Sequence, residues 1–413
     1  MPTALFVHNS FPAQYRHLAA ALAARPGWRV FAFGSNTALP MPGVTLLKYN
    51  FEPELQGAEG VHPFARRFNS ECYRAEQLVY LSNAVRSTGA EPDIIYAHPG
   101  WGETLPLRTI FPKAKIVMFC EFFYRARGAD VGFDTEFPQF GMDGLVRIEM
   151  NNATMALSLL QADCGVAPTE WQRSVYPAEM HGKIKVIHDG IDVDDAVPDP
   201  TAQLTLSGGG TLRAGEKIIT YVARNLEPYR GFHIFMRSLP EVLAAHRDAR
   251  VLIVGGNDVS YGRRSVDGRS WREVFTSEVA GRLDMSRVFF LGHVPRKAFL
   301  KVLQVSAVHA YLTYPFVLSW SLLEAMSAGC LVVGSDTAPV REVIWDGRTG
   351  LLTPFFSPQY LAQRMIQVLD NPRAFDGIRR EARASVVRRY AVADCVQRQL
   401  ALTDDLLTSR QGI

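Results

Sequence analysis

The sequence lacks the features of a disulfide framework, a zinc site or a membrane span. The five cysteines are Cys72, Cys120, Cys164, Cys330 and Cys395. Because they are odd in number and show no paired spacing, they favour reduced thiols in a cytosolic compartment. No apolar stretch approaches the roughly 20 residues that cross a bilayer. The chain runs from Met1 straight into the strand-like ALFVH, without a basic stretch before a long apolar run, so we predict no signal peptide and a cytoplasmic location.

A large net charge and a glycine-rich phosphate loop are also missing. The formal net charge of +3 is too small to predict a nucleic-acid partner. The first strand is followed by HNSFPAQYR, which has no glycine, and VGGNDVSYG at 254–262 has the wrong spacing for a dinucleotide fingerprint. No P-loop pattern occurs. These absences disfavour a nicotinamide dehydrogenase and a nucleotidase, and no cofactor is expected.

Short apolar strands alternate with helical patterns in two series along the 413 residues. This alternation predicts an α/β fold of two doubly wound, Rossmann-like parallel-sheet domains, with ligands in a cleft at the carboxyl ends of the strands. The break falls at PDPTAQLTLSGGGTLRAGE, which is typical of a linker or of a loose entry to the next domain. We predict a first domain at 1–194, a linker at 195–215, a second domain at 216–385 and a helical tail at 386–413, for which one option is a return to the first domain.

Two arginines are candidate phosphate ligands. Arg224 and Arg230 lie in VARNLEPYRGF, between a predicted strand and a predicted helix. The planar guanidinium suits this task because it can grip two phosphate oxygens at once. The alternative is that both are ordinary surface arginines.

A single carboxylate, Glu324, lies in the otherwise uncharged stretch YPFVLSWSLLEAMSAG. One interpretation is a capping box, in which Ser321 caps a helix and Glu324 bonds back to the cap amide. The other is that Glu324 accepts hydrogen bonds from the hydroxyls of a ligand. The residues alone favour neither.

These motifs together resemble a known family. The two arginines, FLGHV at 290–294, SLLEAMSAG at 321–329 and GRTGLL at 347–352 resemble the carboxy-terminal half of family 4 retaining glycosyltransferases with the GT-B fold. VIHDGID is similar to the turn before the domain crossover, and FVHNSFPAQYRHLA and AHPGWGETL are more like a group 1 subgroup. The resemblance covers nearly the whole chain. It implies transfer of a sugar from a nucleotide diphosphate sugar, without a metal and with retention of the anomeric configuration.

The resemblance also implies roles for particular residues. Arg224 and Arg230 would hold the diphosphate, Glu324 would bind the ribose hydroxyls, and backbone amides at 317–319 would face the donor phosphate and sugar. The predicted donor-binding residues are Phe316, Val317, Leu318, Ser319, Glu324, Gly292, His293 and Val294, of which the last three would edge the base.

Two positions depart from the family pattern. Phe316 stands where the family has its first glutamate, which leaves the donor sugar open. Glu121 stands at about the place of a family histidine near the anomeric centre, so it joins the two arginines as a predicted catalytic residue. The alternative is a Glu121 paired with Arg125 or Arg127, and His98 is a competing polar candidate.

The segment FFYRARGADVGFDTEFPQF combines aromatic, basic and acidic residues and predicts an acceptor-binding loop. The predicted acceptor-side residues are His98, Tyr124, Arg125, Arg127 and Phe133. A packed lid with ion pairs is the alternative. Arg66 and Arg67 are consistent with peripheral contact to an anionic membrane or with a solvated helix face.

The sequence therefore predicts a metal-independent glycosyltransferase. Its donor would be a UDP-, GDP- or dTDP-sugar, and its acceptor a glycan, a lipid-linked, protein or small-molecule acceptor. The alternatives are a non-catalytic GT-B partner subunit and a sugar-nucleotide epimerase on the same fold. Replacement of Arg230 by alanine is predicted to weaken nucleotide binding and to leave the melting temperature nearly unchanged.

Overall fold

The computed structural model describes residues 1–51, 60–206 and 208–409. Within these ranges the chain forms two units. The first comprises Met1–Gly190 and the chain from Val392 onward, and the second comprises Ile191–Ala391. Each unit is built around one parallel sheet.

The sheet of the first unit has seven parallel strands in the order β3-β2-β1-β4-β5-β6-β7. The strands are β1 (Thr3–Val7), β2 (Arg29–Gly34), β3 (Thr45–Lys48), β4 (Ile94–Ala97), β5 (Lys115–Phe119), β6 (Cys164–Ala167) and β7 (Ile184–Val186). Both faces of β1 and β4 are buried, which is why these strands are continuous apolar runs. Since β1 lies between β2 and β4, the direction of winding reverses there, and ligands of such sheets bind at the carboxyl ends of these strands.

The second unit repeats this topology with six parallel strands in the order β12-β11-β10-β13-β14-β15. The strands are β10 (Ile218–Asn225), β11 (Arg250–Gly256), β12 (Val288–Gly292), β13 (Val308–Tyr311), β14 (Val332–Ser335) and β15 (Leu351–Thr353). Its switch point lies between β10 and β13. The predicted α/β class with two doubly wound parallel sheets is confirmed.

Helices accompany both sheets. In the first unit they are α1 (Arg16–Ala23), α2 (Arg66–Ser87), α3 (Leu107–Ile110), α4 (Met142–Met150), α5 (Ala153–Gln161), α6 (Glu170–Ser174) and α14 (Val392–Thr408). In the second unit they are α7 (Phe232–Ala245), α8 (Trp271–Val279), α9 (Arg296–Gln304), α10 (Trp320–Ser327), α11 (Ala338–Arg341), α12 (Pro358–Asp370) and α13 (Asp376–Tyr390). Among the described residues, no helix is both long enough and apolar enough to cross a membrane.

The segment 195–215, predicted as a linker, is part of the second unit. It contains an antiparallel hairpin of β8 (Gln203–Thr205) and β9 (Thr211–Arg213). Leu206 and Leu212 are buried against residues of the second sheet, including Leu252. The prediction was wrong because the glycines that suggest a linker form the turn of a hairpin, where Gly209 and Gly210 have positive φ angles of 89° and 85°.

The chain returns to the first unit at its carboxyl end. Helix α14 packs on α1, where Val396 and Leu400 join Leu18 and Leu22 in one apolar cluster. The boundary between the units falls after Ala391, within the segment that was predicted to be the helical tail.

Candidate active site

Arg230 lies at the switch point of the second sheet. It ends the short 3-10 turn Pro228–Arg230 that follows β10, and only 7% of its surface is exposed. Its Nη1 donates to Oγ1 of Thr313 at 2.8 Å and to the carbonyl of Val317 at 3.0 Å. Because both acceptors follow β13, these bonds tie together the loops after the two central strands. Nη1 is therefore held by the protein, and the guanidinium is also in hydrogen-bond contact with the Tyr261 hydroxyl.

The surroundings of Arg230 keep it charged. Burial opposes the charge, but the phenol groups of Tyr311 and Tyr261 raise the pKa of the guanidinium above its ordinary value. The carbonyl of Arg230 accepts a hydrogen bond from the Tyr221 hydroxyl at 2.7 Å, which fixes the backbone of the turn. A rigid, buried cation at a switch point is a suitable group for an anionic ligand.

The structure distinguishes the two arginines. Arg224 is exposed and lies within β10, whereas Arg230 is buried in the loop that follows the strand. The surface interpretation therefore describes the environment of Arg224 and is wrong for that of Arg230. Spacing could not separate them, because both precede the same helix.

Phe316 is buried in an aromatic cluster. Its ring lies 5.6 Å from that of Tyr229 and 5.0 Å from that of Tyr261, and Tyr229 also packs on Tyr314 at 4.7 Å. A glutamate at this position would carry a charge into an apolar site, which is costly without a partner. The cluster therefore accounts for phenylalanine at the position of the family's first glutamate.

Two backbone amides in the loop between β13 and α10 already donate hydrogen bonds within the protein. The N–H of Phe316 donates to the carbonyl of Tyr314 at 2.7 Å, and the N–H of Ser319 donates to the Tyr311 hydroxyl at 2.9 Å. The amide of Ser319 is therefore not directed to a donor phosphate in this structure, which corrects that part of the prediction. The amides of Val317 and Leu318 remain the candidates.

Glu324 does not belong to a capping box. Helix α10 begins at Trp320 with Ser319 as its N-cap, so Glu324 is the fifth residue of the helix and cannot reach the cap. Its carboxylate, 15% exposed, accepts a hydrogen bond from Nη1 of Arg296. Nε of Arg296 also bonds Asp195 at 3.0 Å. Capping is therefore ruled out, and the pairing with Arg296 is a contact that the sequence did not suggest.

The segment Gly292–Val294 lies at the carboxyl end of β12, next to that of β11. A Cβ atom at Gly256 would lie 2.4 Å from Nε2 of His293 and 2.4 Å from Oδ1 of Asn225, so a larger residue there would displace these two side chains. Asn225 is buried, and its Nδ2 donates to Ser260 at 2.7 Å. Its Oδ1 has no hydrogen-bond partner among the described residues. Asn225 is a candidate ligand-binding residue that the sequence reasoning missed.

The carboxyl edge of the first sheet brings His98 and Glu121 together. His98 follows β4, and Glu121 follows the adjacent β5. Nδ1 of His98 accepts from the N–H of Gly100 at 3.0 Å, so the proton of the neutral ring is on Nε2, which lies 3.4 Å from Oε2 of Glu121. The two residues, which were competing candidates in the sequence, form one pair.

His8 extends this pair and was not predicted. It follows β1, its Nδ1 accepts from the N–H of Ser10 at 2.9 Å, and its ring lies 5.2 Å from that of His98. Burial, assisted by the nearby His98, holds its pKa well below the usual range of histidine. A pattern in the sequence could have identified His8. His8, His98 and His188 each follow a strand, and they begin the similar motifs HNS, HPG and HDG. Nδ1 of His188 likewise accepts a hydrogen bond from the N–H of Gly190, at 2.9 Å.

The predicted acceptor loop is anchored to the rest of the first unit through Arg125. Arg125 donates to the carbonyls of Ser174 at 2.7 Å and Val175 at 2.8 Å, which satisfies the end of α6. The proposed pairing of Glu121 with Arg125 is thus replaced by these carbonyl bonds and by the contact of Glu121 with His98. Arg127 is exposed and Phe133 is half-buried.

Tyr124 lies at the edge of a second polar group. The Arg67 guanidinium lies 5.1 Å from the centre of its ring, and Nε of Arg67 donates to Glu71 at 2.8 Å. Arg67 is therefore engaged within the first unit, whereas Arg66 is exposed. Contact of Arg66 and Arg67 with an anionic membrane stays a prediction.

Two family models match the chain. The glycosyl transferase family 4 group matches residues 26–196, and glycosyl transferases group 1 matches residues 216–371. Phosphatidyl-myo-inositol mannosyltransferase of Mycobacterium tuberculosis is 32% identical over 212 residues, which are 49% of this chain and 49% of that protein. The chain spans about half the length of the curated relatives that it matches first.

Solved structures share the fold. Sucrose-phosphate synthase of Thermosynechococcus elongatus superposes with a TM-score of 0.73 at 19% identity, covering 99% of this chain and 100% of that one. The HepE protein of Anabaena, in complex with UDP, superposes with a TM-score of 0.68 at 16% identity, covering 98% and 100%.

The topology and these matches define the class as a glycosyltransferase with the GT-B fold. Residues 26–196 carry the match to the glycosyl transferase family 4 group, and residues 216–371 carry the match to glycosyl transferases group 1.

Proposed function

We propose that the protein is a retaining, metal-independent glycosyltransferase. It transfers a sugar from a nucleotide diphosphate sugar to a hydroxyl group of a glycan, lipid-linked, protein or small-molecule acceptor. The observation that carries the proposal is the buried, charged Arg230 at the switch point of the second sheet, with Nη1 fixed by Thr313 and Val317. The mannosyltransferase named among the relatives and the UDP bound to HepE support this donor class.

The donor is assigned to the carboxyl edge of the second sheet. The guanidinium of Arg230 binds the diphosphate, and the exposed Arg224 adds a second positive charge. Glu324 accepts hydrogen bonds from the ribose, next to Arg296. The base lies along Gly292–Val294.

The chemistry is assigned to Glu121 and His98 of the first unit. The Glu121 carboxylate stabilises positive charge that develops at the anomeric carbon or orients the acceptor hydroxyl. Nε2–H of His98, 3.4 Å from Oε2, holds the carboxylate in place. Tyr124 and Phe133 supply aromatic surface for the acceptor.

A panel of UDP-, GDP- and dTDP-sugars tests the proposal. We expect one donor to release its nucleoside diphosphate in a reaction that depends on an added acceptor, as measured by chromatography. Binding without turnover would instead indicate a non-catalytic subunit. A changed sugar on the intact nucleotide would indicate an epimerase.

We expect activity to survive excess EDTA. Among the acids of the chain, Asp192 and Asp194 have the spacing of a metal-binding Asp-x-Asp, but Oδ1 of Asp192 accepts from the N–H groups of Asp194 at 3.2 Å and Asp195 at 3.0 Å, as in a turn. Arg230 meets the phosphate charge in place of a cation. Initial rates with and without chelator provide the measurement, and loss with EDTA that manganese or magnesium restores would contradict it.

Replacement of Glu324 by glutamine is expected to weaken donor binding roughly tenfold, because the shape is kept and the charge that strengthens each hydroxyl bond is lost. UDP and its 2′-deoxy analogue should differ less in the variant than in the wild type, as measured by calorimetry.

The matched control is Asp195→Asn, which removes the other carboxylate that pairs with Arg296 and leaves Glu324 unchanged. It should keep the wild-type difference between the two nucleotides. If removal of the 2′-hydroxyl lowers the affinity by the same factor in the Glu324 variant and in the wild type, Glu324 does not contact the ribose.

A further inference from the structure

The loop after β11 is held against Arg230 by a buried carboxylate. Glu227 is 0% exposed and lies one turn before Arg230. Its carboxylate accepts three backbone hydrogen bonds, from the N–H groups of Ser260 at 3.1 Å, Tyr261 at 3.2 Å and Gly262 at 2.8 Å. A charged acceptor with several amide donors is a strong restraint on a loop. Glu227 therefore fixes the backbone of these three residues.

This restraint sets the position of the Tyr261 side chain. The Arg230 guanidinium carbon lies 5.1 Å from the centre of the Tyr261 ring, and the ring packs on Phe316 at 5.0 Å. Ser260 is held in addition by Asn225 at 2.7 Å. The ring is thus supported on one side by Phe316 and placed over the guanidinium on another.

Tyr261 nevertheless remains 39% exposed, although its neighbours Arg230 and Phe316 are buried. The Tyr261 hydroxyl is in hydrogen-bond contact with the Arg230 guanidinium. A hydroxyl that accepts from a cation can donate its own proton to an anion that the cation binds. Aromatic packing alone would not require the hydroxyl. The three amide bonds of the buried Glu227 keep the loop in this position.

We infer that Tyr261 is a donor-binding residue whose hydroxyl donates to the diphosphate held by Arg230, and that Glu227 is the residue that positions it. The inference rests on the proposed function, since it takes a nucleoside diphosphate as the ligand of Arg230. It adds Tyr261 to the site, a residue that the motifs used in the sequence analysis did not include. Phe316 then serves as the support of the Tyr261 ring.

The test is Tyr261→Phe, which keeps the ring over Arg230 and removes only the hydroxyl. Calorimetry with UDP, GDP and dTDP identifies the diphosphate that binds the wild type. Its dissociation constant should rise roughly tenfold in the variant, because a hydrogen bond to a charged group is lost. The dissociation constant of the matching nucleoside, which has no phosphate, should not change.

Tyr360→Phe is the matched control. Tyr360 is 38% exposed and lies 5.2 Å from the Arg364 guanidinium, so it has the same kind of arginine contact elsewhere in the second unit. It should leave both dissociation constants unchanged.

Glu227→Gln tests the positioning role. The variant should weaken diphosphate binding, and adding Tyr261→Phe should weaken it little further, because Glu227 acts through Tyr261. A structural role alone would lower the melting temperature without changing the affinity, which would overturn the role of Glu227. If Glu227→Gln does not fold, Tyr261→Phe decides alone.

Unchanged diphosphate affinity in Tyr261→Phe would overturn the inference while leaving the proposed function in place. A wild-type protein that binds none of the three diphosphates would overturn the proposed function and the inference with it.

Discussion

Replacement of Arg230 by alanine is expected to weaken nucleoside diphosphate binding by about one to two orders of magnitude. One charge-assisted contact to the diphosphate contributes roughly 1.5–3 kcal/mol, which corresponds to about one to two orders of magnitude in the dissociation constant. The melting temperature should also fall, because the variant leaves the buried Thr313 hydroxyl and the Val317 carbonyl without their donor. An unsatisfied buried polar group costs about 1–3 kcal/mol. The expectation of a nearly unchanged melting temperature assumed a surface arginine, and the burial of Arg230 replaces it with an expected decrease.

Affinity and stability can be separated with Arg383→Ala. Nη1 of Arg383 donates to the carbonyls of Ala196 at 2.9 Å and Ser327 at 2.6 Å, so this half-buried arginine also joins segments of the second unit. It should lower the melting temperature without changing the dissociation constant, as measured by calorimetry well below the transition. Equal affinities for Arg230→Ala and the wild type would show that Arg230 has only a structural role.

Replacement of Glu121 by glutamine is expected to lower kcat by about two to four orders of magnitude and to leave donor affinity nearly unchanged. Glutamine keeps the size of the side chain but removes the charge that stabilises the transition state or accepts a proton. The side chain is 48% exposed, so little stability should be lost. Steady-state kinetics with a saturating acceptor provide the measurement.

Glu170→Gln is a suitable comparison for this variant. Glu170 is an exposed acid of the same unit, and its carboxylate pairs with Arg173 at 3.1 Å within α6, whereas that of Glu121 pairs with His98. Its kcat should equal that of the wild type. A Glu121→Gln enzyme with full kcat would remove Glu121 from the mechanism, and the pair with His98 would then be structural.

The fold could be predicted from the sequence because the patterns that indicate its strands and helices are local. Apolar runs such as ALFV in β1 and VLIV in β11 are buried on both faces, and the helical segments between the strands bring successive strands into parallel order. The hairpin at β8 and β9 was missed because its glycines suggest a flexible linker unless the buried Leu206 and Leu212 are considered.

The candidate site could be predicted only in part, because its geometry depends on contacts between distant segments. Glu227 in the sequence looks like an ordinary surface acid, yet it bonds amides more than thirty residues away. Likewise, the partner of Glu324 is Arg296, 28 residues before it in the chain, whereas local spacing suggested a helix cap. Local patterns placed the chemical groups, but only the folded chain shows which groups meet.

The most direct test of the central claim follows the sugar itself. The donor identified in the panel is prepared with carbon-13 at its anomeric carbon and incubated with the acceptor, and the label is followed by NMR. The account predicts that the label appears in a glycoside of the acceptor with the anomeric configuration of the donor. Label that stays on the nucleotide, or that appears in a glycoside of inverted configuration, would contradict a retaining glycosyltransferase.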